Sequence, residues 1–385
     1  MKRSPPIPAQ GMALRVGVLG LGAVAQAVHL PLLARQPERF RVAAICDLST
    51  EIATAMGERY GVPRHRRFAD LGSMLAAGGL DALLVLSSGR HSDAAIAGLD
   101  AGLAVFCEKP LAYTLHEIAA MRRAAQANPR IQLGYMKLHD PAFGQARTLL
   151  EGREARSVEV TVLHPTAEAQ LTHARVLRPL EVPLEAVDDG VAGIHRLEKA
   201  ALGEAAAERF GRLYSGILLG SIVHDLALIR VLVGDPLHIY HAAAWPDGSW
   251  PPSVEIVGLL PDEAHLSIRW HYLARYPAYR EELTVHHEAG SVRLAFPSPY
   301  LLHAPTVLTH VEADGSAERT SSQRSTVEAF DQQLTAFWRM AVEDATPPAG
   351  IDQGEADIRT CQRIASQLAR RASIEIGGEA AEGAR

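Results

Sequence analysis

The stretch Arg15-Val-Gly-Val-Leu-Gly20-Leu-Gly22-Ala-Val-Ala25-Gln-Ala-Val-His29 constrains the fold more than any other part of the chain. Val16, Val18 and Leu19 read as a short buried strand, Gly20 and Gly22 follow at once, and a helical pattern begins at Ala23. The spacing is G-x-G-x-x-A, the fingerprint of a dinucleotide-binding strand–turn–helix. Gly20 permits the tight turn out of the strand. Gly22, lacking a Cβ, lets a pyrophosphate approach the backbone, and Ala25 is small enough for the helix to pack on the strand. The first helical residues, Ala23 and Val24, then offer N–H groups and the positive end of the helix dipole to phosphate. A second strand, Arg41 to Cys46, ends on Asp47, at about the distance where the fingerprint expects an acid for the adenosine ribose. Its negative charge would repel a 2′-phosphate, so NAD is expected and NADP is disfavoured. The bland alternatives are a plain turn at the glycines and a solvated strand-end acid at Asp47.

Strand and helix patterns alternate from Ala13 to about Met136. Strands are expected at 14–19, 41–46, 81–86, 104–107 and 131–134, with helices at 23–35, 49–60, 92–101 and 114–127 and a short one from Ala69. Ser49 is a good N-cap for the second of these helices. The run Asp81-Ala-Leu-Leu-Val-Leu86 is continuously apolar, as in a parallel sheet covered on both faces. Repeated βα units imply a doubly wound parallel sheet, with ligands outside the carboxyl ends of its strands.

The second half reads differently. Strand-like runs at 157–163, 238–244, 253–260, 265–272, 280–286 and 291–294 have few helices between them. Helical patterns cover 192–209, 216–233, 330–343 and 354–370. Successive strands without crossovers imply an antiparallel sheet in an α+β unit. The expected division is a dinucleotide-binding domain over 12–138 and a substrate-binding and oligomerisation domain over 139–376, with helix 354–370 a candidate to pack back on the first. Residues 166–190 carry prolines and polar residues and have no assignment, and the tail 377–385 is expected to be loose.

Charge and cysteines narrow the function classes. Net charge is −6, with no basic block, which argues against nucleic acid or an anionic membrane as the main partner. Cys46, Cys107 and Cys361 are odd in number and far apart, so a reduced cytoplasmic setting fits better than a disulfide framework or a zinc site. Residues 1–11 read as a loose leader, because prolines separate Lys2 and Arg3 from the apolar run and that run holds the fingerprint glycines. It is also too short to span a bilayer. No metal-ligand spacing, nucleophile elbow or P-loop is evident.

Several residues carry candidate chemistry. Glu108-Lys109-Pro110-Leu111 lies at a strand's carboxyl end, where a lysine desolvated beside nicotinamide could hydrogen-bond or protonate a substrate oxygen. The alternative is an exposed turn lysine. Pro110 would fix the backbone and is a candidate for a cis bond. Ser87 marks another strand end, and His91, just beyond it, could cap the next helix or touch the cofactor. His224 lies in a helix that is apolar nearly all round. It is equally a satisfied core residue or a general acid/base facing a cleft.

Together these residues resemble the glucose-fructose oxidoreductase / inositol dehydrogenase / rhizopine-catabolism (Gfo/Idh/MocA) family. The likeness runs through Gly20-Leu-Gly22 with His29-Leu-Pro31, Ile45-Cys-Asp47, Cys107-Glu108-Lys109-Pro110-Leu111, Gly134-Tyr-Met-Lys137 with Asp140-Pro141, and His224 with Leu232-Val-Gly234. The E-K-P-L block is its most specific part. The resemblance implies a Rossmann domain followed by an open-sheet α/β domain, NAD(P)-dependent oxidation or reduction of a sugar or cyclitol, and a dimer or tetramer. Carried over, Lys109 is the catalytic or substrate-orienting lysine, Lys137 a basic residue near nicotinamide and substrate, and His224 the proton-transfer histidine. The cofactor-binding set is Gly20, Gly22, Ala23, Val24, Asp47, Ser87, His91, Glu108 and Lys109. One position departs. The family's dehydrogenases commonly place an aspartate four residues before the histidine, and here that residue is Gly220. The acid expected three residues after it is Ala227, although Asp225 follows directly. A dinucleotide-binding sensor without turnover, or NAD-assisted elimination or hydrolysis of glycosides, are the alternative readings.

Overall fold

The computed structural model describes residues 13–179 and 184–382, so the leader at 1–11 and the last three residues lie outside it. The chain divides into two compact units. The first holds the described residues up to Tyr135 together with those of His173–Leu197 and Gln333–Glu355, and the second holds the described remainder.

In the first unit, β1 (Leu14–Leu19), β2 (Phe40–Cys46), β3 (Arg67–Phe68), β4 (Ala82–Val85), β5 (Ala104–Cys107) and β6 (Ile131–Leu133) form one sheet in the order β3-β2-β1-β4-β5-β6. Every pairing is parallel. This is the doubly wound order whose direction reverses between β1 and β4, and ligands bind outside the carboxyl ends at that point. All residues of β4 and β5 are buried, which accounts for their unbroken apolar composition. Helix starts follow the local chemistry. Ser49 accepts from Ile52 N at 3.2 Å, and Thr114 and Glu117 form a reciprocal capping box.

The second unit is built on β7 (Ala155–His164), β8 (His238–Trp245), β9 (Ser253–Leu259), β10 (His265–Tyr272), β11 (Arg280–His287), β12 (Gly290–Phe296), β13 (Val307–Asp314) and β14 (Ala317–Arg324). Their order is β14-β13-β12-β11-β7-β10-β9-β8, antiparallel throughout except where β7 meets β10. In β11 every second residue from Glu281 to His287 is buried, so one face of the strand carries the core.

Three sequence expectations change here. The pattern at 192–209 is two helices, Leu184–Leu202 and Glu204–Leu213, broken at Gly203. Gly203 has φ +79°, and a Cβ there would stand 2.6 Å from Gly377 Cα, so the chain must turn on a glycine. The tail is also not loose as far as it is described. Gly377 N donates to Leu202 O, Gly378–Glu382 is helical, and Ala380 is buried. Within the unassigned 166–190, Ala167–Leu171 is a short helix capped by Thr166. The helix Glu204–Leu232 is long and apolar enough to cross a membrane. Its apolar side chains, among them Leu218, Ile222, Leu226 and Ile229, are instead buried inside the unit.

Candidate active site

The glycine loop of the first unit is fixed by its neighbours and open on one side. Gly20, at φ +86°, would bring a Cβ to 2.4 Å from the backbone N and Cα of Ser87, so no side chain fits. Asp47 holds the loop from β2, its Oδ2 accepting from Leu21 N at 2.7 Å and its Oδ1 from Ser49 N at 2.8 Å. Gly22 is exposed, and nothing lies within 4 Å of the place its Cβ would take. Ala25, by contrast, is fully buried under the helix. The backbone at Gly22 is therefore open to close approach on that side. Asp47 has part of its acceptor capacity engaged by the loop, and each carboxylate oxygen retains a further lone pair for a ribose hydroxyl.

Two residues expected to bind the cofactor are turned to structural contacts. His91 is buried, with Nδ1 2.7 Å from Pro110 O and Nε2 2.5 Å from Ser87 O. It ties the loop after β4 to the loop after β5 and gives no side-chain cap to its helix. Glu108 is buried, with Oε1 3.0 Å from His29 Nε2 and Oε2 accepting from Lys109 N at 3.3 Å. Burial alone would push this carboxyl up. The hydrogen bond and charge of His29, helped by Lys109 and His91, outweigh it and hold Glu108 below the usual carboxylate range. Lys109 follows, half-buried at the carboxyl end of β5, and its bond to Pro110 is cis. Cys46 and Cys107 are free and buried, and burial pushes the Cys46 thiol up to about 12.

In the second unit His224 is half-buried between two buried neighbours, Val223 and Asp225, near the start of helix Val223–Leu232. The nine residues before it, Tyr214–Ile222, are π-helical and include Gly220. Ser221, the hydroxyl nearest in sequence, accepts from Trp270 Nε1 at 3.0 Å. Lys137 is buried and its amine is 2.5 Å from both oxygens of Glu281, with the Phe296 ring 5.3 Å away. Tyr279 also donates to Glu281. Asp225, also buried, completes the group beside Glu281. Its burial, then the negative charge of Glu281, raise the Asp225 carboxyl well above the aspartate range despite Lys137. Burial and Glu281 likewise raise the Tyr279 phenol. Lys137, expected at the substrate, thus has its charge engaged inside the unit.

Sequence reasoning missed Glu281, Tyr279 and the partnership of Asp225. A signal existed: Glu281 occupies the buried register of β11 with Leu283 and Val285, where an acid needs a partner.

Residues 14–135, the span of the parallel sheet, match the model of the GFO_IDH_MocA oxidoreductase family, described as an NAD-binding Rossmann fold. That match covers the parallel-sheet region alone. Among similar proteins, an inositol 2-dehydrogenase of Salmonella paratyphi B is 29% identical over 146 residues, 37% of this chain and 43% of that protein. An inositol 2-dehydrogenase/D-chiro-inositol 3-dehydrogenase of Shouchella clausii is 34% identical over 143 residues, 36% of this chain and 41% of that protein. The match therefore spans less than half the length of these relatives. Among solved structures, a scyllo-inositol dehydrogenase from Lactobacillus casei superposes with a TM-score of 0.68 at 16% identity, covering 94% of this chain and 98% of the other. An aldose–aldose oxidoreductase from Caulobacter crescentus gives a TM-score of 0.69 at 20% identity over 94% and 98%. At such identities the likeness is one of fold alone, and it takes in both units.

Proposed function

We propose that this chain is a dehydrogenase that uses a nicotinamide dinucleotide to oxidise a secondary hydroxyl of a sugar or cyclitol, or to reduce the corresponding ketone. The observation that carries the reading is the open face of Gly22 beside the helix start, on the same carboxyl edge of the sheet as Lys109. The dinucleotide would lie against Gly20, Gly22, Ala23 and Val24, with Asp47 receiving the adenosine ribose and favouring NAD over NADP. When bound it supplies the acceptor or donor of hydride. Lys109 holds the substrate oxygen and stabilises charge that develops on it. His224 takes or returns the hydroxyl proton. The named relatives that act on inositols support the substrate class.

The test is a screen of cyclitols, sugars and sugar nucleotides, followed by absorbance of the reduced nicotinamide. Lys109→Ala should lower turnover at least about 100-fold while changing cofactor affinity little, because its interaction counts most as charge develops. His224→Ala should do the same for the oxidative direction. Retained turnover in either variant would remove that residue from the mechanism.

A second reading, a dinucleotide-binding sensor, is favoured by one observation. Gly220 carries no acid, and the neighbouring Asp225 is engaged with Glu281. Dinucleotide binding without turnover on any of these substrates would support it.

A further inference from the structure

The stretch 166–190, which sequence patterns leave unassigned, returns part of the chain to the dinucleotide unit. Leu177 belongs to the first unit, and the residue that meets it is Gln26, one position beyond the small residue of the glycine fingerprint. Gln26 is only 7% exposed and both ends of its amide are engaged. Nε2 donates to Leu21 O at 2.8 Å and to Leu177 O at 2.9 Å, and Oε1 accepts from Leu177 N at 2.9 Å. One side chain thus joins the middle residue of the glycine loop to a passing backbone, in the manner of a strand partner.

Further along the same return, Ile194 lies 3.7 Å from where a Cβ on Gly89 would stand, and Gly193 similarly faces Arg90 at 3.4 Å. Gly89 and Arg90 belong to the loop after β4. The returning chain is therefore fastened to the loop after β1 and to the loop after β4, both within the first unit. These are the strands between which the sheet order reverses, and the crevice outside their ends is where α/β sheets hold ligands.

We propose that His173–Pro179 forms an outer wall of the dinucleotide site, latched to the glycine loop by Gln26, and that this latch slows release of the cofactor. The inference rests on the reading of the glycine loop as a dinucleotide site. Gln26 acts as a positioning residue. It holds Leu21 O and both backbone groups of Leu177, so the wall cannot leave the loop without breaking two hydrogen bonds. Arg175 and Arg178, exposed on either side of Leu177, add positive charge to that wall.

The probe is NADH. Its release is followed by stopped-flow fluorescence after displacement with excess NAD, and exchange of the 173–179 amides is followed by mass spectrometry. Gln26→Leu keeps the volume and removes all three bonds, and it should release NADH at least about tenfold faster. In the unaltered protein, NADH should slow amide exchange across 173–179, and Gln26→Leu should abolish that protection. Unchanged release from a folded Gln26→Leu protein overturns the latch. Should that variant fail to fold, absence of NADH protection at 173–179 in the unaltered protein overturns it. If the unaltered protein binds no NADH at all, the cofactor reading fails and the latch with it, whereas binding with unchanged release removes the latch alone.

Discussion

Glu108 in the first unit and Asp225 in the second are both buried acids, and their surroundings move them in opposite directions. Glu108 faces His29, Lys109 and His91, and these partners overcome burial and keep it ionised. Asp225 faces another acid, Glu281, and the lysine beside them has its amine against both Glu281 oxygens. With one cation for two carboxyls, the Asp225 carboxyl is pushed toward its neutral form. Depth of burial is therefore not what decides ionisation here. The number of cationic partners per carboxyl does.

The largest effect should come from removing the shared cation. Lys137→Met leaves Glu281 buried beside Asp225 with no lysine, and should cost about 3–5 kcal/mol in chemical denaturation. A loss below about 1 kcal/mol would mean that the cluster relaxes by protonation, and the contrast with Glu108 would fade. The next test separates the two acids by pH. The folded form of Asp225 has the higher affinity for protons, so its contribution is fully present below about pH 4 and declines as pH rises. Glu108 does the reverse. Its contribution is present above about pH 4.3 and is lost as pH falls through its depressed folded value. Asp225→Asn should therefore look progressively better than the parent as pH increases from 4 to 8. Glu108→Gln should instead be level against the parent from about pH 5 to 8 and lose its disadvantage only as pH falls below about 4.3. Parallel slopes for the two variants, measured by thermal melts across pH, would end the comparison. The smallest effect belongs to Asp47, a half-buried acid whose partners are backbone N–H groups. Asp47→Ala should cost about 1 kcal/mol and narrow the difference between NAD and NADP in a binding titration. Equal affinities in the unaltered protein would refute its role in cofactor choice.

What could be read from the sequence follows from which forces leave a periodic trace. The parallel sheet was legible because each strand is an apolar run and each turn carries a glycine or a cap, as at Gly20 and Ser49. β14 was not, because all eight residues of Ala317–Arg324 are exposed and carry no apolar alternation. β13, its neighbour, is similarly poor in apolar residues toward its end. The break at Gly203 was hidden because its cause, Gly377, lies far along the chain. At the candidate site, residues fixed by local backbone geometry were legible, namely Gly20, Gly22, Asp47 and the cis bond at Pro110. Those fixed by distant partners were not. Gln26 and Asp225 carry no trace in the sequence of their partners, Leu177 and Glu281.

The π-helical stretch Tyr214–Ile222 bears on how motifs are measured at all. A motif written as an aspartate, three residues and a histidine is a ruler graduated for a helix that closes its bonds at every fourth residue. Between Tyr214 and Ile222 the bonds close at every fifth, so the graduations stretch just before His224. Counting four back from the histidine lands on Gly220, but counting is not the same as looking along one face of the helix. For this chain an alignment column and a spatial neighbour are separate questions. The residue that answers to the missing acid must be found by geometry, on whatever element of the second unit presents it.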